Sequence, residues 1–229
     1  MTDHVHDLRS VREATDRLLT DVAKLDNAAL AGESHLPGWT RGHILAHVAR
    51  NADALVNVFE GRPMYESAEA RDSDIERDAP RPPEVQLADV REAGERFLAQ
   101  GGVEQDWSRT VELRNGVTDL ASNVPFRRLV EIELHHVDLN VGYALEDLPD
   151  EFTAREIDFL ADRWSGRPEV PPTALVAADG RTWRTGSAGD PAVTVSGTAA
   201  GLLAWLAGRG DKGASLTTAG GALPALPPL

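Results

Sequence analysis

Residues 37–61 read PGWTRGHILAHVARNADALVNVFEG. The Pro-Gly pair marks a turn, Thr40 is an N-cap residue type, and Gly61 is a natural helix terminator. Between them Ile44, Leu45, Val48, Leu55, Val58 and Phe59 recur at helical spacing, which predicts a helix of ~20 residues. The same helix carries His43, His47 and Asn51 at i, i+4 and i+8. These polar groups drift slowly around a face that otherwise belongs to a core.

Working outward, similar stripes appear on both sides. Leu8, Val11, Leu18, Leu19, Val22 and Leu25 mark a helix over residues 5–25, and Leu87, Val90, Phe97 and Leu98 mark another over 83–99. Residues 125–145, PFRRLVEIELHHVDLNVGYAL, are helical by length and pattern, with Pro125 in the first turn, where its missing N–H costs nothing. DEFTAREIDFLADRW, residues 150–164, predicts a further helix capped by Asp150. The polar stretch 62–83 reads as a long surface loop with room for a short helical turn. Residues 100–124 read as irregular, with Asn115-Gly116 turning a small hairpin.

The texture changes after Gly166-Arg167-Pro168. Residues 173–177 and 182–185 flank Asp179-Gly180, a strong hairpin signal, and 193–195 reads as a strand. Ser196 is placed to cap the helix in GTAAGLLAWLAG, 215–217 suggests a last strand, and the proline-rich tail GGALPALPPL continues no element. The expected fold class is α+β: an antiparallel helical bundle over residues 1–165 and a small α+β domain over 170–229.

Composition excludes several functions. Lys plus Arg number 23 and Asp plus Glu 37 among 229 residues, a formal charge of −14, and this repels nucleic acid and anionic membrane surfaces alike. The 41% hydrophobic content suffices for a core. With no cysteine, the chain has no disulfide, no thiolate metal site and no thiol nucleophile of its own. MTDHVHDLRS lacks the pattern of a secretory signal and no apolar run approaches a bilayer span, so a soluble cytoplasmic protein is expected. A monomer is compatible with all of this.

Chemistry concentrates in two of the helices. Glu131 and His135 stand i, i+4, with Arg128 three residues before Glu131 and Asp138 seven after it. Such a pair is commonly a solvated contact, and a histidine near an apolar stripe is commonly a hydrogen-bonded core residue. Two bundle helices each offering inward histidine or carboxylate groups is also how bundles build metal sites. A His, Glu, His set leaves a fourth position open, as catalytic zinc requires, although nickel, iron and manganese accept similar ligands. Phosphate-loop, dinucleotide-binding, nucleophile-elbow and H-E-x-x-H motifs are all missing. Arg209 follows the last helix, where an arginine ordinarily meets the final carbonyls.

Together GWTRGHILAHVARNADAL, RRLVEIELHHVDL and GTAAGLLAWLAGRGD resemble the mycothiol-dependent maleylpyruvate isomerase family, within the DinB-like metal-dependent helical bundles. The resemblance covers nearly the whole chain, and its third motif is the most specific. It implies a zinc site made by His47, Glu131 and His135, with His43 and His136 as neighbours. It also implies a catalytic, substrate-binding arginine at Arg209, in a C-terminal domain that walls the active site, and a second substrate arginine at Arg71 or Arg77. The implied reaction turns maleylpyruvate into fumarylpyruvate: a nucleophile adds to a conjugated cis double bond, the resulting single bond rotates, and the nucleophile leaves. The chain has no thiol, so a small molecule must bring it; the resemblance implies mycothiol, with the metal cation keeping the sulfur deprotonated. The substrate that the resemblance implies is a dicarboxylate, for which guanidinium groups would have to overcome the acidic field. A mycothiol S-transferase, which keeps the carbon–sulfur bond, is the nearest alternative. A non-enzymatic bundle with core histidines is a third.

Overall fold

The computed structural model describes residues 3–227. It resolves into two compact units, residues 1–142 and residues 143–229.

The first unit is helical. α1 (His4–Val22) begins at Asp3, whose carboxylate accepts from the backbone N–H groups of Val5 and His6. It buries Val11, Leu18, Leu19 and Val22 of the predicted stripe together with Ala14, while Leu8 is half-buried and Leu25 lies beyond the helix end. A short α2 (Asn27–Leu30) leads to α3 (Arg41–Phe59). Thr40 caps α3 in a capping box where histidine takes the place usual for Glu or Gln. The Thr40 side chain accepts from the His43 N–H, and Nδ1 of His43 accepts from the Thr40 N–H at 3.2 Å. α3 is buried along most of its length and packs against α4 (Ala68–Asp78), α5 (Pro83–Gly101) and α6 (Val124–Asp138), while α1 packs on α5 and α6. Between α5 and α6, β1 (Thr110–Glu112) and β2 (Thr118–Leu120) form the expected hairpin around Asn115-Gly116, both in the left-handed region.

Two expectations change here. The stretch 62–83 contains an eleven-residue helix, α4, in place of a loop. Only Ile75 and Asp78 of α4 are buried, so it has no apolar stripe for a periodicity argument to find. It is held by the Ser67 cap and by the buried carboxylate of Asp78, which pairs with Arg77, Arg81 and Arg50. It also needs Gly42, because a Cβ there would stand 2.2 Å from the Ala79 carbonyl oxygen. The helix expected over 125–145 stops at Asp138, since Asn140 and Gly142 both take positive φ. Arg41 satisfies carbonyls freed at that end, donating to Leu139 O at 2.7 Å and Asn140 O at 3.1 Å.

The second unit holds α7 (Asp150–Trp164), α8 (Ala199–Ala207) and a four-stranded sheet ordered β4-β3-β5-β6. β3 (Thr173–Ala177) and β4 (Thr182–Thr185) are the antiparallel hairpin predicted at Asp179-Gly180. β5 (Val193–Gly197) runs parallel to β3, and β6 (Thr217–Ala219) antiparallel to β5. The reading of residues 1–165 as one bundle differs from this division at α7. That helix buries Phe152, Ile157, Leu160 and Trp164 and packs against α8 and β4, with the Trp164 indole donating to Leu206 O. An amphipathic stripe shows that a helix has an apolar partner without naming it. The caps also shift: Thr198, not Ser196, caps α8, and α7 starts after Pro149 with Asp150 already in its first turn. Of the C-terminal tail, Pro228 and Leu229 lie outside the described residues. No helix among the described residues is long and apolar enough to cross a membrane.

Candidate metal centre and active site

The helical repeat brings Glu131 and His135 to one face of α6, and packing of α3 on α6 brings His47 opposite them. Nε2 of His47 lies 3.0 Å from Oε2 of Glu131, and Nε2 of His135 lies 3.3 Å from the same oxygen. One ligand atom from each residue falls within a 4.8 Å cluster, the only such set of three among the described residues. The two imidazoles meet edge to face at 4.7 Å. Both histidines are buried, whereas about a third of the Glu131 side chain (34%) remains exposed, so a small molecule can reach the cluster.

The surroundings suit a cation. Nδ1 of His135 donates to Oδ2 of the fully buried Asp138 at 2.9 Å. That bond keeps Nδ1 as the donor and aims Nε2 at the cluster, the usual support for a metal-binding histidine once Nε2 gives up its proton. Burial lowers the His47 pKa to about 4, against the opposing pull of Glu131, so this imidazole is neutral at physiological pH. Burial would raise Glu131, but hydrogen bonds from His135 and His47 outweigh it and hold the carboxyl well below its ordinary value. His135 moves upward: burial opposes its charge, yet Asp138 and Glu131 together favour it more. Two neutral-capable imidazoles and an ionised carboxylate form a donor set for zinc or another first-row divalent ion.

The other histidines do different work. His43 closes the α3 cap and reaches Glu76 on α4 at 3.3 Å. His136, fully buried, faces Asp21 on α1 at 3.2 Å. The two loop arginines separate clearly. Arg71 on α4 places Nη2 3.2 Å from Nδ1 of His47, whereas Arg77 pairs with Asp74 and Asp78. In the second unit Arg209 donates to Ala207 O at 2.9 Å, as an arginine after a helix commonly does, and lines a cavity of about 650 Å³.

Two aromatic residues belong to the site although the sequence reading did not single them out. The Trp39 ring lies 5.5 Å from the His47 ring, and its only sequence signal was its position just before the Thr40 cap. Tyr65 precedes α4 and sits beneath the Arg71 guanidinium, 5.8 Å from its ring centroid. Burial and the nearby Glu131 charge raise the Tyr65 pKa, so the phenol keeps its proton. Tyr65 lines two cavities, one of about 500 Å³ toward Arg109 and Arg114 and one of about 450 Å³ toward Arg71 and Asn57. No sequence pattern marked it.

Residues 11–140 match the model of the mycothiol maleylpyruvate isomerase N-terminal domain, and residues 147–228 match that of the MDMPI C-terminal domain. The chain belongs to the mycothiol maleylpyruvate isomerase family. The two family domains meet where the compact units divide. Solved structures agree with this membership. A mycothiol-dependent maleylpyruvate isomerase is similar at 28% identity with a TM-score of 0.87, and a histidine-to-alanine variant of such an enzyme at 27% with 0.88. Each alignment covers 99% of this chain and 97% of the other. Among curated proteins, none matches the sequence. The His47, Glu131 and His135 cluster lies wholly within the family's N-terminal domain, and Arg209 within its C-terminal domain.

Proposed function

We propose that this chain is a mycothiol-dependent isomerase that converts maleylpyruvate to fumarylpyruvate. One observation carries the reading: in a chain whose two parts both match the isomerase family, His47, Glu131 and His135 converge where the Glu131 side chain is partly exposed to solvent. We assign zinc to this centre, held by Nε2 of His47, a Glu131 oxygen and Nε2 of His135. A cation held there supplies the charge that keeps a small-molecule thiol ionised at neutral pH, which a chain without cysteine cannot do with its own thiols.

The remaining work falls to the protein. Asp138 fixes the tautomer of His135. Arg71 stands beside the cluster and binds a substrate carboxylate, with its planar fork giving two parallel hydrogen bonds. Tyr65, kept protonated, donates to the oxygen on which negative charge develops. Arg209 is assigned to the substrate as well, where a fixed guanidinium favours the enolate form.

The test combines metal analysis of protein purified without chelator with an assay on maleylpyruvate and a small amount of mycothiol. The expected result is bound zinc and many equivalents of fumarylpyruvate per thiol, with both lost in His47→Ala. Consumption of mycothiol one for one with substrate would make the chain an S-transferase. Neither metal nor turnover would return it to a non-enzymatic bundle.

A further inference from the structure

Arg128 is fully buried between α6 and α3. Its Nη1 donates to Val48 O and to Asn51 Oδ1, each at 2.8 Å. Nε and Nη2 are also buried and have no hydrogen-bond partner among the described residues. Among the described residues no carboxylate lies close enough to form an ion pair with it; Glu131, Tyr65 and Asp53 act on its charge only from farther away, and burial lowers its pKa to about 10.

An unpaired buried guanidinium opposes folding, and an apolar side chain of similar volume fills such a position at lower cost. Packing therefore gives no reason for arginine here. The positions of its two acceptors do give one. Val48 directly follows His47, and Asn51 lies one helical turn beyond it. On α6, Glu131 lies three residues after Arg128 and His135 a further turn on. One guanidinium nitrogen thus bolts the turn of α3 carrying His47 to the turn of α6 before Glu131. The Nη1 hydrogens are directional, whereas an apolar contact would let the helices slide or rotate by the fractions of an ångström that a metal site does not tolerate.

We propose that Arg128 is a positioning residue that sets His47 against Glu131 and His135, so that the affinity and geometry of the metal centre depend on it. The inference rests on the metal reading given above. It places a cost to stability at a residue that touches neither metal nor substrate.

The experiment uses the whole chain stripped of metal, as wild type, Arg128→Met and Arg128→Lys. Each is titrated with zinc alone and with cobalt(II) alone, and each metal-free protein is melted. Arg128→Met is expected to unfold within a few degrees of wild type while its metal affinity falls about 10- to 100-fold and its cobalt ligand-field bands shift. Arg128→Lys, which keeps the charge but lacks the rigid fork, is expected to fall between the two. Wild-type affinity and an unchanged cobalt spectrum in Arg128→Met would overturn the proposal. So would metal-free melting temperatures that drop in step with metal affinity in both variants, because Arg128 would then merely hold the fold. A wild-type chain that takes up neither ion would overturn the metal reading itself, a result distinct from a variant matching a metal-binding wild type.

Discussion

Nη2 of Arg71 lies 3.2 Å from Nδ1 of His47, with Oε2 of Glu131 on the other side of the ring at 3.0 Å from Nε2. A guanidinium only donates, so Nδ1 accepts and the ring proton sits on Nε2, directed at Glu131. Coordination of a cation by Nε2 requires the opposite tautomer, with the proton on Nδ1 facing Arg71. Both groups would then be donors, and Arg71 must turn away. On the proposed metal reading, metal loading would be coupled to release of Nη2 of Arg71 from His47, turning it toward an anionic substrate while Nη1 keeps its pair with Asp72 at 2.7 Å.

Arg71→Ala should consequently act in opposite directions on the two ligands. Metal affinity should hold or rise, because a competitor for Nδ1 is gone. The KM for maleylpyruvate should rise roughly 10- to 100-fold, the effect of a lost charged hydrogen bond worth ~1.5–3 kcal/mol. Chelator competition and steady-state kinetics measure the two separately, and a fall in metal affinity would contradict the coupling.

Asp138→Asn keeps the shape of the side chain but removes its charge and allows the amide to donate toward Nδ1 of His135. The bond that holds His135 in its metal-binding tautomer weakens, and zinc affinity should fall about 10- to 100-fold with little change in helix content. Competition against a chromophoric chelator gives the affinity, and a wild-type value would show that Asp138 does not support the centre.

Metal uptake should depend on pH through His135. Its pKa is raised in the metal-free protein, so at neutral pH and below a proton competes with the cation for Nε2. Affinity should therefore rise with pH across the range around and just above the ordinary histidine value, then level off once His135 is neutral. His47, lowered to about 4, is already neutral in that range and adds no slope there. Zinc titrations in two buffers of different ionisation enthalpy would count the released protons, and a pH-independent affinity from 6 to about 8 would refute the assignment.

Arg209→Ala should leave zinc content and melting temperature near wild type while kcat/KM falls, the pattern of a group acting on substrate or transition state. Arg209→Lys keeps the charge without the planar fork and should still lose much of the activity. Full activity in Arg209→Ala would confine this arginine to its contact with the Ala207 carbonyl.

What could be read along the chain was local. The α3 cap, the i, i+4 pairing of Glu131 with His135 and the hairpin at Asp179-Gly180 depend on residues within a turn or two of each other. Sequence order therefore carried them, and the motif resemblance extended the same reading to His47. α4 escaped because its stability comes from arginine–aspartate pairs and a close approach to Gly42, neither of which leaves a hydrophobic period. The end of α6 escaped because Asn140 and Gly142 turn the chain within a stretch that still looks periodic.

The sequence by itself determined the class of the fold, the missing thiol and the residue types able to hold a metal, since these follow from composition and helical spacing. Only the tertiary structure decided which elements meet. It set His47 against a carboxylate 84 positions away, brought Arg71 rather than Arg77 to the imidazole, gave α7 to the C-terminal unit and buried Arg128 beneath the site. The physical reason is the same in each case. A helix's periodicity fixes which side chains share a face, but packing against a distant segment fixes what that face touches, and hydrogen bonds and charges act only over the last few ångströms that packing sets.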